Sequence, residues 1–123
     1  MTSILPRGFR VPLSQQRENE TVSFSFNDQS FHVSLGFYPD GSPGEVFVVT
    51  SSVWSPLRET YEAWARLTSK ALQRGVSLKD AISSISGVRE QRGWIVCEGV
   101  DGLDGVEALS AWDALARVLS VWA

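Results

Sequence analysis

Two side chains in this sequence could carry covalent or acid–base chemistry, and each type occurs once. His32 could act as a general base, and Cys97 could act as a nucleophile. Neither stands in a recognisable motif, because the sequence has no phosphate-binding glycine loop, no dinucleotide fingerprint, no Gly-x-Ser-x-Gly turn and no paired metal-ligand spacing. Cys97 lies in an apolar run, which is typical of a small buried side chain. We therefore expect no enzyme activity, no metal and no cofactor.

The segment YPDGSPGEVFV, residues 38–48, combines turn-forming residues with two carboxylates. Its glycines allow unusual backbone angles, so the segment predicts a hairpin loop followed by a strand. The same loop suits a polar rim around a ligand or a partner. If the ligand is a nucleotide, arginine guanidinium groups would hold its phosphate. The candidate ligand-binding residues are Asp40, Gly41, Gly44, Glu45, Phe47, Arg74 and Arg10.

Length and composition restrict the possible classes of protein. A chain of 123 residues is one domain long. Its net charge of −3 argues against binding along the phosphates of a duplex. A single cysteine excludes an internal disulfide and fits a reducing compartment. With no signal-peptide core and no run of ~20 apolar residues, we expect a cytoplasmic protein without membrane or bulk nucleic-acid partners.

The candidate residues require a sheet to position them. Residues 1–20 show no period of 2 or 3.6 and are predicted to be an N-terminal arm that is flexible or docks on a partner. From Thr21, apolar and polar residues alternate, with Val22, Phe24 and Phe26 on one face. Residues 31–37 repeat the alternation, and EVFVVT, residues 45–50, forms a third strand. These three runs predict an antiparallel meander.

Helices follow the strands. Ser55 as a cap, Pro56 in the first turn and Gly75 as a stop predict a long amphipathic helix of about five turns. A shorter helix is predicted from Ser77 to Gly87. Residues 93–98 are either an extra strand or an extended segment, and a last helix ends the chain. Its Trp112 and Trp122 share one stripe and pack either on their own core or at a subunit interface.

This order predicts an α+β fold. Residues 21–123 would form one domain, in which an antiparallel sheet of three to four strands is covered on one face by the long helix. The short helix and the C-terminal helix complete it.

Two segments together resemble a known family. The motif at residues 38–48, followed by ALQRGVSLKD at residues 71–80, is similar to the C-terminal TSCPD-type accessory domain of adenosylcobalamin-dependent ribonucleotide reductases. The resemblance spans Thr21 to Ile85 and, more weakly, the last helix. The sequence lacks the reductase barrel and its cysteines, so the resemblance implies a fold without reductase activity.

The first functional hypothesis is a non-enzymatic binding module. It would associate with itself as a homo-oligomer, with a protein partner such as a reductase subunit, or with a nucleotide-like small molecule. The alternative is a phage or mobile-element protein that sequesters a host signalling nucleotide or inhibits a host enzyme. An oligomer that retains a small ligand would favour the alternative.

Overall fold

In the part of the chain that the structure describes, the fold consists of a five-stranded antiparallel sheet and three α-helices. The computed structural model describes residues 10–50 and 58–123. The strands are β1 (Asn19–Phe26), β2 (Gln29–Phe37), β3 (Pro43–Thr50), β4 (Gly93–Val96) and β5 (Glu107–Ala108). The helices are α1 (Arg58–Leu72), α2 (Leu78–Ser83) and α3 (Ala111–Leu119), and a 3-10 turn spans Ser120–Trp122. The spatial order of the strands is β3-β2-β1-β4-β5.

The hairpin of β1 and β2 forms as its alternation predicts. Phe24 lies opposite Phe31, and both side chains are buried. Asn27 and Asp28 connect the strands with positive φ angles of 49° and 62°. Two successive residues in this conformation suit the right-handed twist of a tight hairpin. The predicted antiparallel meander is therefore confirmed over its first three strands.

The predicted α+β class is confirmed, but the details of the sheet and the long helix differ. The sheet has five strands rather than three to four, because β4 pairs with β1 and the two-residue β5 pairs with β4. Two residues are too short to show any alternation, so β5 leaves no signal in the sequence. The described helix α1 has 15 residues, about four turns rather than five.

The predicted helix boundaries can be checked where the structure describes them. The predicted start of α1 at Ser55 and Pro56 lies outside the described residues. Its predicted stop is confirmed, because Gly75 has a φ of +99° and its N–H donates to Leu72 O. Ser77 caps α2 by accepting a hydrogen bond from Asp80 N at 3.1 Å.

One face of the sheet forms the core with the helices. Phe31 is fully buried, stacks on Phe24 at 4.9 Å between ring centroids and meets the Tyr61 ring edge-on at 5.2 Å. Trp112 of α3 adds its ring at 4.4 Å from Tyr61. This aromatic stack joins β1, β2, α1 and α3 into one hydrophobic core.

Helix α1 covers the outer edge of β3. Ser69 Oγ accepts a hydrogen bond from Val46 N at 2.8 Å and lies 3.0 Å from Val46 O, to which it donates. One turn later, Gln73 Nε2 donates to Gly44 O at 3.1 Å. Edge strands otherwise present unpaired backbone groups. The side chains of Ser69 and Gln73, four residues apart, thus provide hydrogen-bond partners for the backbone of Val46 and Gly44 on the free edge of β3.

Replacing Ser69 with Ala should lower the free energy of unfolding by about 1–3 kcal/mol, because Val46 N–H would lose its acceptor. Urea unfolding would measure the change. Lys70→Ala is the matched control, since Lys70 is exposed on the same helix. Equal midpoints for the two variants would contradict this role of Ser69.

Candidate functional site

The loop between β2 and β3 is held by its own carboxylate. Asp40 is exposed, and its Oδ1 accepts hydrogen bonds from Ser42 Oγ at 2.5 Å and from Ser42 N at 2.9 Å. The side-chain bond from Ser42 is the largest cause that lowers the pKa of Asp40. Gly41 has a φ of +87°, which a residue with a side chain rarely adopts. Asp40 and Gly41 therefore stabilise the turn.

Glu45 lies at the start of β3 with only 8% of its surface exposed. Its Oε1 accepts a hydrogen bond at 2.5 Å from Arg17 Nε. It also crosses over Gly36, where an added Cβ would come within 2.6 Å of Glu45 Oε1. Glu45 is thus covered by Arg17 and packs on the strand β2 backbone, an environment that the sequence did not indicate.

Gly44 allows close packing of an aromatic ring. A Cβ at this position would lie 2.5 Å from Tyr38 Cε2 and 3.0 Å from Leu13 Cδ1. The Tyr38 hydroxyl donates a hydrogen bond to Val11 O. Burial raises the pKa of Tyr38, which keeps this hydroxyl protonated as a donor. The glycine of the first motif therefore positions Tyr38 and residues 11–13.

Gln73, which is not among the predicted site residues, joins the two motif segments. Besides donating to Gly44 O, its Oε1 accepts from Arg10 Nε at 2.6 Å, and its backbone carbonyl accepts from Val11 N at 2.7 Å. Gln73 is buried. Its only sequence signal was its place in the second motif, ALQRGVSLKD.

The other candidate residues occupy different places. Arg10 contacts the loop region by donating a hydrogen bond to Gln73, and Arg74 is exposed in the turn after α1. Phe47 is exposed, but it lies farther along β3, opposite Ser34 of β2. The structure therefore brings together the loop, Arg10 and the end of α1, and it leaves Phe47 on the side of the sheet that faces away from the hydrophobic core.

A cavity of about 300 Å³ lies where the loop, the α1–α2 turn and the end of the chain meet. Tyr38 and Pro43 line it from the loop, Val76 and Lys79 from the turn and α2, and Trp122 from the last turn. Trp122 Nε1 donates a hydrogen bond to Glu20, which ties the indole to β1. The combination of aromatic rings with one ammonium group suits a flat ligand with a negative charge.

The two tryptophans that were predicted to pack on their own core or at a subunit interface have different surroundings. Trp112 packs on Tyr61 and lies 6.0 Å from the ring of Trp64. Trp122 is half-buried and lines the cavity. Their role in an interface stays a prediction.

His32 and Cys97 differ in their access to solvent. Ser23 Oγ lies 2.7 Å from His32 Nδ1 on the exposed side of the sheet, a partner that the sequence did not reveal. Cys97 is buried, and this burial, followed by the charge of Asp104, raises the pKa of its thiol. The thiol is therefore a poor nucleophile at neutral pH. Within residues 10–50 and 58–123, no group of three or more His, Cys, Asp or Glu could hold a metal ion.

The described part of the predicted arm contacts the domain. Residues 10–17 reach the turn after α1 through the bonds of Arg10 and Val11 to Gln73, and they reach β3 through Arg17; β1 begins at Asn19. The division into an arm and a domain at residue 20 stays a prediction. No helix in the described part of the chain is long and apolar enough to cross a membrane.

Comparison with known proteins connects this site to a family. The family model of the TSCPD domain matches residues 7–122. A vitamin B12-dependent ribonucleotide reductase of Rhodopirellula baltica is 31% identical over 84 residues, which cover 68% of this chain and 8% of that relative. The chain thus corresponds to a small part of the relative's length. No solved structure matches.

Proposed function

The chain belongs to the TSCPD domain family, and we propose that it is a non-catalytic binding module whose cavity takes a nucleotide-like small molecule. The observation that carries this proposal is the position of the cavity. It opens where the two motif segments meet, beside the network of Gln73 and Gly44. The relative's name supports the ligand class, since that protein acts on ribonucleotides.

The lining of the cavity supports the same ligand class. Trp122, Tyr38 and Pro43 provide flat apolar surface for a base, and the Lys79 ammonium group provides charge for a phosphate. A volume of about 300 Å³ lies at the lower end of the range of small-molecule sites. It suits a mononucleotide or one half of a larger ligand.

The protein part of the site is preorganised. Asp40 holds the loop through Ser42, and Gln73 holds the start of β3 against the end of α1. Residues held in this way lose little conformational freedom when a ligand binds. The candidate residues Asp40, Gly41, Gly44 and Glu45 do not line the cavity, so they would act by holding the loop beside it, and Arg74 lies next to Gly75 of the lining.

A thermal-shift screen tests the proposal with the whole chain. Ribonucleotides, deoxynucleotides, cyclic dinucleotides, ADP-ribose and adenosylcobalamin are the probes. A probe at a hundred times its dissociation constant should stabilise the fold by about 2.7 kcal/mol. This corresponds to a rise in Tm of several degrees for a domain of this size.

Lys79→Ala should reduce the shift, because the phosphate loses its cation, and Trp122→Leu should reduce it by removing the ring. Lys70→Ala is the matched control, since Lys70 is exposed on α1 and does not line the cavity. A shift that survives both cavity variants would place the ligand elsewhere. No shift with any probe would contradict a nucleotide-like ligand and would favour a protein partner, including a reductase subunit.

A further inference from the structure

A second surface, separate from the cavity, carries exposed apolar side chains. Four of the seven large apolar side chains that are exposed in the described chain lie on two strands: Phe47 (50% exposed) and Val49 (42%) on β3, and Trp94 (60%) and Val96 (58%) on β4. Single exposed apolar residues are ordinary, whereas a group on one face marks an interaction surface.

The register of the strands places these four side chains on one face. Val96 lies opposite Ser25, and Ser25 lies opposite Ser30. On the other side of β2, His32 lies opposite Val49. Residues directly opposite each other, and residues two apart on one strand, point to the same side of a sheet. We call this side, with its positions on β1 to β4, the outer face.

Serine side chains and one histidine form the middle of the outer face. A shallow cavity of about 480 Å³ lies over it, with Ser23, Ser25, Ser30 and His32 in its lining. Their hydrogen-bonding groups pair across the strands: Ser23 with His32 at 2.7 Å and Ser25 with Ser30 at 3.4 Å. Because these groups are paired across the strands, covering them costs less than covering polar groups without such partners.

Charge on the outer face lies at its margins. Glu45 is paired with Arg17, Glu107 lies beside Trp94 on β5 and is paired with Arg92 at 3.5 Å, and Glu98 lines the rim of the shallow cavity just after β4. Interface cores are depleted in charged residues. In a chain of net charge −3, a neutral face also allows two copies to approach without strong repulsion.

The area of the outer face is sufficient for a reversible dimer. The nine residues of β2 make the face about 30 Å long, and four strands make it about 19 Å wide. Two such faces would bury roughly 1,000 Å² in total, at the lower end of specific interfaces. A contact of this size predicts a dimer that dissociates on dilution.

We propose that the outer face is the contact surface of a symmetric dimer of this chain. A two-fold axis in the plane of the contact brings the apolar strips of β3 and β4 onto the strips of the second copy. The two sheets then stack face to face at about 10 Å, and the shallow polar cavities of the two copies face each other.

Sedimentation velocity of the full chain from about 1 µM to about 200 µM tests the proposal. The wild type should pass from monomer to dimer over this range. Trp94→Glu and Phe47→Glu should each raise the dissociation constant at least tenfold, because each replaces an apolar contact with a charge that the interface would bury without a partner. Leu67→Glu is the control, since Leu67 is 68% exposed on α1 and lies outside the outer face.

Three outcomes would overturn the proposal. They are a monomer at every concentration, a dimer that both outer-face variants leave unchanged, and a dimer that Trp122→Glu dissociates while Trp94→Glu does not. Far-UV circular dichroism of each variant verifies folding. Val49→Lys places a positive charge at a half-exposed position of the same face, so the result does not depend on one variant.

Discussion

Asp113→Ala should lower the free energy of unfolding by about 3 kcal/mol, because it removes a buried carboxylate that accepts three hydrogen bonds. Asp113 is 3% exposed. Its Oδ1 accepts from Gly87 N at 2.8 Å, and its Oδ2 accepts from Leu109 N at 3.0 Å and from Arg117 Nε at 3.3 Å. The carboxylate therefore joins the turn after α2 to the start of α3.

Urea unfolding at pH 7 would measure this loss. Asp80→Ala is the matched control, since Asp80 is an exposed aspartate in the first turn of α2. Exposed positions of this kind change stability by about 0.5 kcal/mol or less. If both variants lost the same free energy of unfolding, the buried hydrogen bonds of Asp113 would contribute no more than an exposed carboxylate in the first turn of a helix does.

The loss should depend on pH in a defined direction. Burial alone would raise the pKa of Asp113, but the hydrogen bonds from Leu109, Gly87 and Arg117 outweigh it and lower the pKa below its ordinary value of 3.8. A carboxyl with a lowered pKa in the folded state stabilises the fold above its unfolded pKa, and it loses this effect as the pH falls through the folded pKa. The difference between wild type and Asp113→Ala should therefore shrink below about pH 3.8. A difference that stays constant from pH 7 to pH 3 would contradict the charged role of Asp113.

Phe31→Ala should destabilise the fold by about 3–5 kcal/mol, the usual range when a buried phenylalanine leaves a cavity. Phe31 is fully buried between the rings of Phe24 and Tyr61. Without its ring, the contacts with Phe24 of β1 and Tyr61 of α1 are both lost. Neither β1 nor α1 can shift to fill the cavity without disturbing the packing of the other.

Phe47→Ala is a matched control for Phe31→Ala. Both residues lie on neighbouring strands of the same sheet, but Phe47 is half exposed on the outer face. At protein concentrations low enough to keep the chain monomeric, Phe47→Ala should change the free energy of unfolding by about 0.5 kcal/mol or less. A comparable loss in both variants would contradict the assignment of the two faces.

Local patterns predicted the parts of the fold that depend on neighbouring residues. Alternation in residues 22–26 and 31–37 predicted which side chains of β1 and β2 are buried, because side chains along a strand point to opposite faces in turn. Gly75 and Ser77 predicted the end of α1 and the start of α2, because helix ends need a left-handed residue or a side-chain cap. The two motifs also identified the family.

The candidate site was predicted in part. The loop of Asp40 and Gly41 forms the expected turn, and the second motif lies beside it. Gln73 was missed, because a glutamine just after a helix carries no sign that its side chain reaches a strand 29 residues earlier. Asp113 was missed for the same reason, since its partner Gly87 lies 26 residues away.

The sequence by itself thus determined the types of most elements, the buried face of the main strands and the family. Only the tertiary structure decided which strand lies next to β1 on its second side, what Glu45 and His32 contact, and where a cavity opens. Alternation and capping act within a few residues, whereas the pairing of Ser25 with Val96 and the bonds of Gln73 and Asp113 join distant segments. Such contacts depend on the packing of the whole chain, which no short pattern in the sequence records.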